Sequence, residues 1–113
     1  TDAAFVMKLS GNRSIRNISI GCLQDINSWI FMPESIELYT SADGERFTKV
    51  ETLNNTFPND RWGTFIEYYR FGNLNLTQPY IKIVLVNRGP CPDWHPGKGN
   101  ATWIFTDEIE FSF

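Results

Sequence analysis

The residues with the most chemical potential in this chain are a single histidine, His95, two cysteines, Cys22 and Cys91, and four tryptophans. A histidine can serve a nucleophile, but no Ser or Cys stands in a G-x-S-x-G or cysteine-protease setting that would use it. A structural zinc ion needs about four Cys or His ligands, and two distant cysteines outside any C-x-x-C spacing fall short of that. No glycine-rich phosphate cradle of the G-x-G-x-x-G or P-loop kind is present. Asp107-Glu108 has the residue types of a glycosidase pair. On a regular strand, however, adjacent side chains point to opposite faces and cannot flank one bond. The residue types fit binding better than catalysis. Sugars are held by an apolar ring face lying on an aromatic side chain while fixed polar groups read the hydroxyls. Trp62, Trp94, His95, Arg88 and Arg61, with several Asn, supply such groups, and Trp62, Arg88, Trp94 and His95 are the candidate ligand-binding residues. Trp29 lies in the apolar run Ser28 to Pro33 and reads as a packing residue. Trp94 and His95 admit two readings, a ligand contact or a plug at the end of the core.

The elements that must position these residues are strands. Phe5, Met7 and Leu9 alternate with polar neighbours, as do Ile18, Ile20 and Cys22 after the polar break Ser10 to Arg13. Ile36 and Leu38 lead to Ala42-Asp43-Gly44-Glu45, a hairpin signal because Gly accepts the positive φ of a tight turn, and Phe47 to Val50 returns. The pattern predicts further strands over Thr64 to Phe71, Tyr80 to Val86 and Trp103 to Phe113. Seven short strands with turn signals indicate an all-β chain, an antiparallel β-sandwich of jelly-roll type. No repeat, low-complexity tract or linker divides residues 1–113, which read as a single domain.

Three connections are long and follow the second, fourth and sixth strands. If successive strands alternate in direction, those loops emerge at one end of the sandwich. Trp29, Trp62, Trp94 and His95 would then share a rim, with Trp103 set apart in a strand.

The 113 residues carry a net charge of −3, and hydrophobic residues make up 42%, enough for one buried core. That charge balance argues against nucleic acid or an anionic membrane, which both need a basic face. No apolar run is long enough for a membrane-spanning helix. Cys22 and Cys91 either pair, which in an oxidising compartment would contribute roughly 4 kcal/mol through loop entropy, or sit apart as two small buried residues. N-x-S/T sequons at Asn12, Asn17, Asn54, Asn75 and Asn100 give a faint indication of export.

The stretch SIELYTSADGERFTKV resembles the hairpin of coagulation factor 5/8 type C (discoidin) domains. Together, GCLQDINSWIFMPESIELYTSADGERF and NRGPCPDWHPGKGNATWIFTDEIEF are similar to the C-terminal discoidin-like module of bacterial family 20 glycoside hydrolases, the β-N-acetylhexosaminidases or chitobiases. The resemblance covers nearly the whole chain. It implies a galactose-binding-domain-like sandwich, exported to the periplasm or cell surface on a larger enzyme. Its catalytic Asp-Glu pair lies in a His-x-Gly-Gly-Asp-Glu motif that Asp107-Glu108 lacks, so no catalytic role carries over. AFVMKLSG matches the strand that ends such modules' first part, with Lys8 where Asp is usual, and that first part is expected to lie outside this chain. Some relatives hold a structural calcium that uses a C-terminal glutamate, here Glu108. With the matching first segment missing, no calcium site and no other cofactor is expected. The resemblance thus implies an accessory module whose partners are a glycan, with N-acetylglucosamine-containing chains a candidate class, and the parent enzyme's catalytic domain. The competing expectation is a module that packs against that domain, through the Ser28 to Phe31 run, and binds no sugar.

Overall fold

A computed structural model describes residues 2–10 and 13–113. The sequon at Asn12 and part of the Ser10 to Arg13 break lie outside the described residues. The strands are β1 (Ala3–Lys8), β2 (Asn17–Asp25), β3 (Ser35–Ser41), β4 (Thr48–Asn54), β5 (Thr64–Phe71), β6 (Tyr80–Val86) and β7 (Phe105–Ser112), with a 3₁₀ turn at Ile26–Ser28. They form two antiparallel sheets, one of order β1-β6-β3-β4 and one of order β5-β2-β7. The chain changes sheet at every connection except the β3–β4 hairpin, which winds it in jelly-roll fashion. The all-β sandwich is therefore the observed fold.

Alternation places the core. Ile18, Ile20 and Cys22 of β2, Ile36 and Leu38 of β3, and Ile81, Ile83 and Leu85 of β6 all point inward and are buried, joined by Ile15, Met32 and Phe71. β2 and β6 each lie between two partners, and their branched residues fill the space between the sheets. The β3–β4 turn is longer than a two-residue hairpin. Asp43 Oδ1 accepts the Arg46 and Glu45 N–H groups, while Ser41 Oγ accepts that of Gly44. These backbone donors, those of Arg46 and Glu45 foremost, hold the Asp43 carboxyl down at about 2.

Two local expectations need correction. Gly21 pairs with Glu108 while Cys22 pairs with Thr106, so Asp107 is the extra residue of a β-bulge. Asp107 and Glu108 are consequently both exposed, and the strict alternation expected of them fails. Asp107 covers the outward side of Gly21, and Glu108 hydrogen-bonds with Glu110, which raises the Glu108 carboxyl above the ordinary range. Trp103 also lies outside β7. It makes an isolated parallel bridge to Ile30, donating its N–H to Trp29 O at 2.9 Å and accepting that of Phe31 at 3.1 Å.

The cysteines do not pair. Cys22 belongs to the main core between the sheets, whereas Cys91 packs with Ile26, Phe31 and Trp29 in a second cluster under the loops. The disulfide candidate is thus replaced by two buried free thiols. Burial first, then the negative charge of Asp107, pushes the Cys22 thiol up to about 12, leaving it protonated at neutral pH. A disulfide-exchange reagent is expected to find no fast-reacting thiol in the folded protein and two after denaturation. One or none after non-reducing denaturation would show that the bridge forms.

Candidate functional site

The connections after β2, β4 and β6 meet at one end of the sandwich, as alternating strand directions require. Trp29 comes from the first, Trp62 from the second, and Trp94 and His95 from the third. Their rings touch: Trp62 stacks flat on His95 at 5.5 Å, Trp94 lies edge-on to Trp62 at 6.0 Å, and Trp29 is edge-on to His95 at 6.3 Å. Phe31 completes the group against Trp94 and His95.

The members of this cluster differ in what they offer. His95 is buried, and both ring nitrogens are engaged. Nε2 lies 2.7 Å from Ile26 O, while Nδ1 accepts the Gly97 N–H at 2.8 Å. Since a carbonyl can only accept, the proton sits on Nε2, and the ring is a neutral brace between two loops. The expectation that His95 contacts ligand is therefore revised: with no nitrogen free, it supports the face of Trp62 instead. Trp29 is half-buried, as its apolar neighbours suggest, and holds a left-handed φ of 62°, rare for a bulky side chain. Gly97 passes under the Trp29 indole so closely that a Cβ there would come within 2.8 Å of the ring. Trp62 and Trp94, by contrast, are 48% and 45% exposed. They are the two indoles of the cluster with open surface.

Beside the rings lies a cavity of about 210 Å³, lined by Gln24, Met32, Glu34, Asn55, Asn59 and Arg88. Arg88 joins it to the aromatic group, its guanidinium lying 5.1 Å from the centre of the Phe31 ring. The Arg88 Nε and Nη1 are buried and have no hydrogen-bond partner among the described residues. Gln24 is fully buried at the rim end of β2. Its Nε2 donates to Pro58 O at 3.0 Å and Arg61 O at 3.2 Å, so it ties the β4–β5 loop down next to Trp62. Its Oε1 is left without a partner among the described residues. Asn55 is used differently. It exchanges bonds with the Phe57 backbone and accepts the Tyr69 hydroxyl at 2.6 Å, which shapes the loop wall.

Of the residues expected at the site, Trp62, Trp94, His95 and Arg88 do converge on one rim. Gln24, Glu34 and Asn59 were not foreseen. Gln24 is the sole polar residue among the inward positions of β2, and a polar residue in an apolar row was the one signal that could have marked it. The Ser28 to Phe31 run offers little open apolar surface for docking, because Phe31 is buried within this domain and Trp29 and Ile30 are half-buried. Exposed apolar surface lies elsewhere, on the outer side of β5-β2-β7. There Leu23 stands between Ile66 and Phe105 in register, with exposed Tyr68 and Trp103 nearby in the chain. Among the described residues no group of three acidic, His or Cys side chains is placed to hold a metal ion. No helix among the described residues is long and apolar enough to cross a membrane. No protein-family model matches this chain, and no curated protein matches it significantly.

Proposed function

We propose that this chain is a non-catalytic carbohydrate-binding module that serves a secreted family 20 β-N-acetylhexosaminidase in glycan breakdown, at the periplasm or cell surface. The sequence resemblance to discoidin-like modules supplies the parent enzyme and the exported setting. One observation carries the binding role: two open indoles belong to the ring cluster that Arg88 joins to a cavity, and the cavity-lining Arg88 and Gln24 hold buried donors and an acceptor that lack partners among the described residues. An indole face takes the C–H side of a pyranose, and unpaired polar groups next to it read the hydroxyls. The module is not expected to bind tightly. A weak site on the same polypeptide as a catalytic domain acts by raising the effective concentration of substrate.

Retention on immobilised chito-oligosaccharides and galactosides tests the reading. Trp94→Ala is expected to weaken binding tenfold or more while leaving the thermal midpoint within a few degrees, since nearly half of the indole faces solvent. No retention of the parent chain on either sugar class would remove the binding role, as would an unfolded Trp94→Ala together with wild-type binding by Trp62→Ala. The second reading, a packing module of the same enzyme, is favoured by the row in which half-buried Leu23 stands between exposed Ile66 and Phe105. In that case, substitutions in that row and not at the rim would weaken association with the catalytic domain.

A further inference from the structure

We infer that the cavity between Gln24 and Arg88 is a subsite for a neutral sugar substituent that both donates and accepts hydrogen bonds, and that it rejects charged sugars. The inference deepens the glycan-binding reading and rests on it. Buried polar groups are almost always paired, so a buried acceptor on Gln24 and buried donors on Arg88, unpaired among the described residues and carried by two residues that line one cavity, call for a partner. The orientation of Gln24 is fixed. Turning its amide over would set Oε1 against the Pro58 and Arg61 carbonyls, two acceptors against an acceptor. The only polar atom Gln24 can present to the cavity is thus an acceptor. Arg88 presents donors, and among the described residues no carboxylate lies within ion-pair distance of it.

A ligand group must therefore accept from Arg88 and donate to Gln24. Vicinal hydroxyls do both, and so does an acetamido group, whose N–H and C=O point in opposite directions. A carboxylate would satisfy Arg88 but face Gln24 Oε1 and the Glu34 carboxylate, like against like. An ammonium would suit Glu34 and be repelled by Arg88. The buried Met32 offers an apolar surface for ring or methyl C–H groups. A volume of about 210 Å³ holds the substituted edge of one sugar, not a chain.

NMR-detected titration of the whole chain with galactose, N-acetylglucosamine, glucuronate and glucosamine tests this, using Arg88→Met and Glu34→Gln beside the parent. At least one neutral sugar is expected to bind, with glucuronate and glucosamine at least tenfold weaker. Arg88→Met is expected to weaken neutral-sugar binding tenfold or more while keeping or raising the thermal midpoint, because an unpaired buried donor is replaced by an apolar chain. Glu34→Gln is expected to narrow the gap for glucuronate. Binding by Arg88→Met equal to the parent, with loss on Trp94→Ala, would overturn the subsite and leave the glycan-binding function standing, the polar groups then being hydrated only. Glucuronate binding as well as the neutral sugars would overturn it too. Failure of every sugar would remove both the function and the subsite.

Discussion

Replacing His95 with alanine is expected to cost about 3–5 kcal/mol of folding stability. The ring is the hub of the rim, in contact with Trp29, Phe31, Trp62 and Trp94. Its loss opens a hole beneath Trp62. It also strands the Ile26 carbonyl and the Gly97 N–H, each a buried group whose unmet bond costs about 1–3 kcal/mol. Gln is a poor rescue, since it cannot reproduce the flat stack on Trp62. Urea denaturation measures the loss directly, and any fall in sugar affinity should track disorder of the loops. A His95→Ala variant with parental stability and abolished binding would instead make the imidazole a ligand contact and contradict the bonding seen at both nitrogens.

Ile83→Ala should destabilise the domain by about 2–5 kcal/mol, whereas Ile66→Ala should stay below about 1 kcal/mol. Both are isoleucines within strands, so propensity cannot separate them. Ile83 is fully buried on β6 between Phe5 of β1 and Leu38 of β3, and its truncation leaves a cavity in the middle of the larger sheet. Ile66 is 49% exposed on the outer face of β5, so water fills the space a truncation leaves. Against a total stability of about 5–15 kcal/mol, the first change is severe and the second is barely visible. Equal losses at the two positions would mean that the outer face of β5-β2-β7 is covered, as the packing reading requires.

Alternation made the sandwich legible because its period is tied to burial. Ile18, Ile20 and Cys22, and likewise Ile81, Ile83 and Leu85, could face only one way. The meeting of the three long loops was legible for a topological reason, since antiparallel succession returns every second connection to the same end. Contacts set by irregular backbone were not. The bulge at Asp107 breaks the period by one residue, and the strand-like Trp103-Ile104-Phe105 pattern concealed that Trp103 pairs with Ile30 instead. The role of His95 depends on a carbonyl and an N–H in two loops distant in sequence, information that no residue spacing contains. Gln24 and Arg88 become a pair only because the β4–β5 loop consumes one end of the Gln24 amide.

The account turns on a grip for neutral saccharide at the end of the sandwich where the loops after β2, β4 and β6 converge. Chemical-shift mapping with chito-oligosaccharides and galactosides reads this most directly. Saturable shifts are expected at the indole N–H signals of Trp62 and Trp94 and at the Arg88 Nε–H, with the Asp43 turn and the Leu23-Ile66-Phe105 row unmoved. Spectra that stay unchanged with both sugar classes, or shifts confined to that row or to the opposite rim, would contradict it.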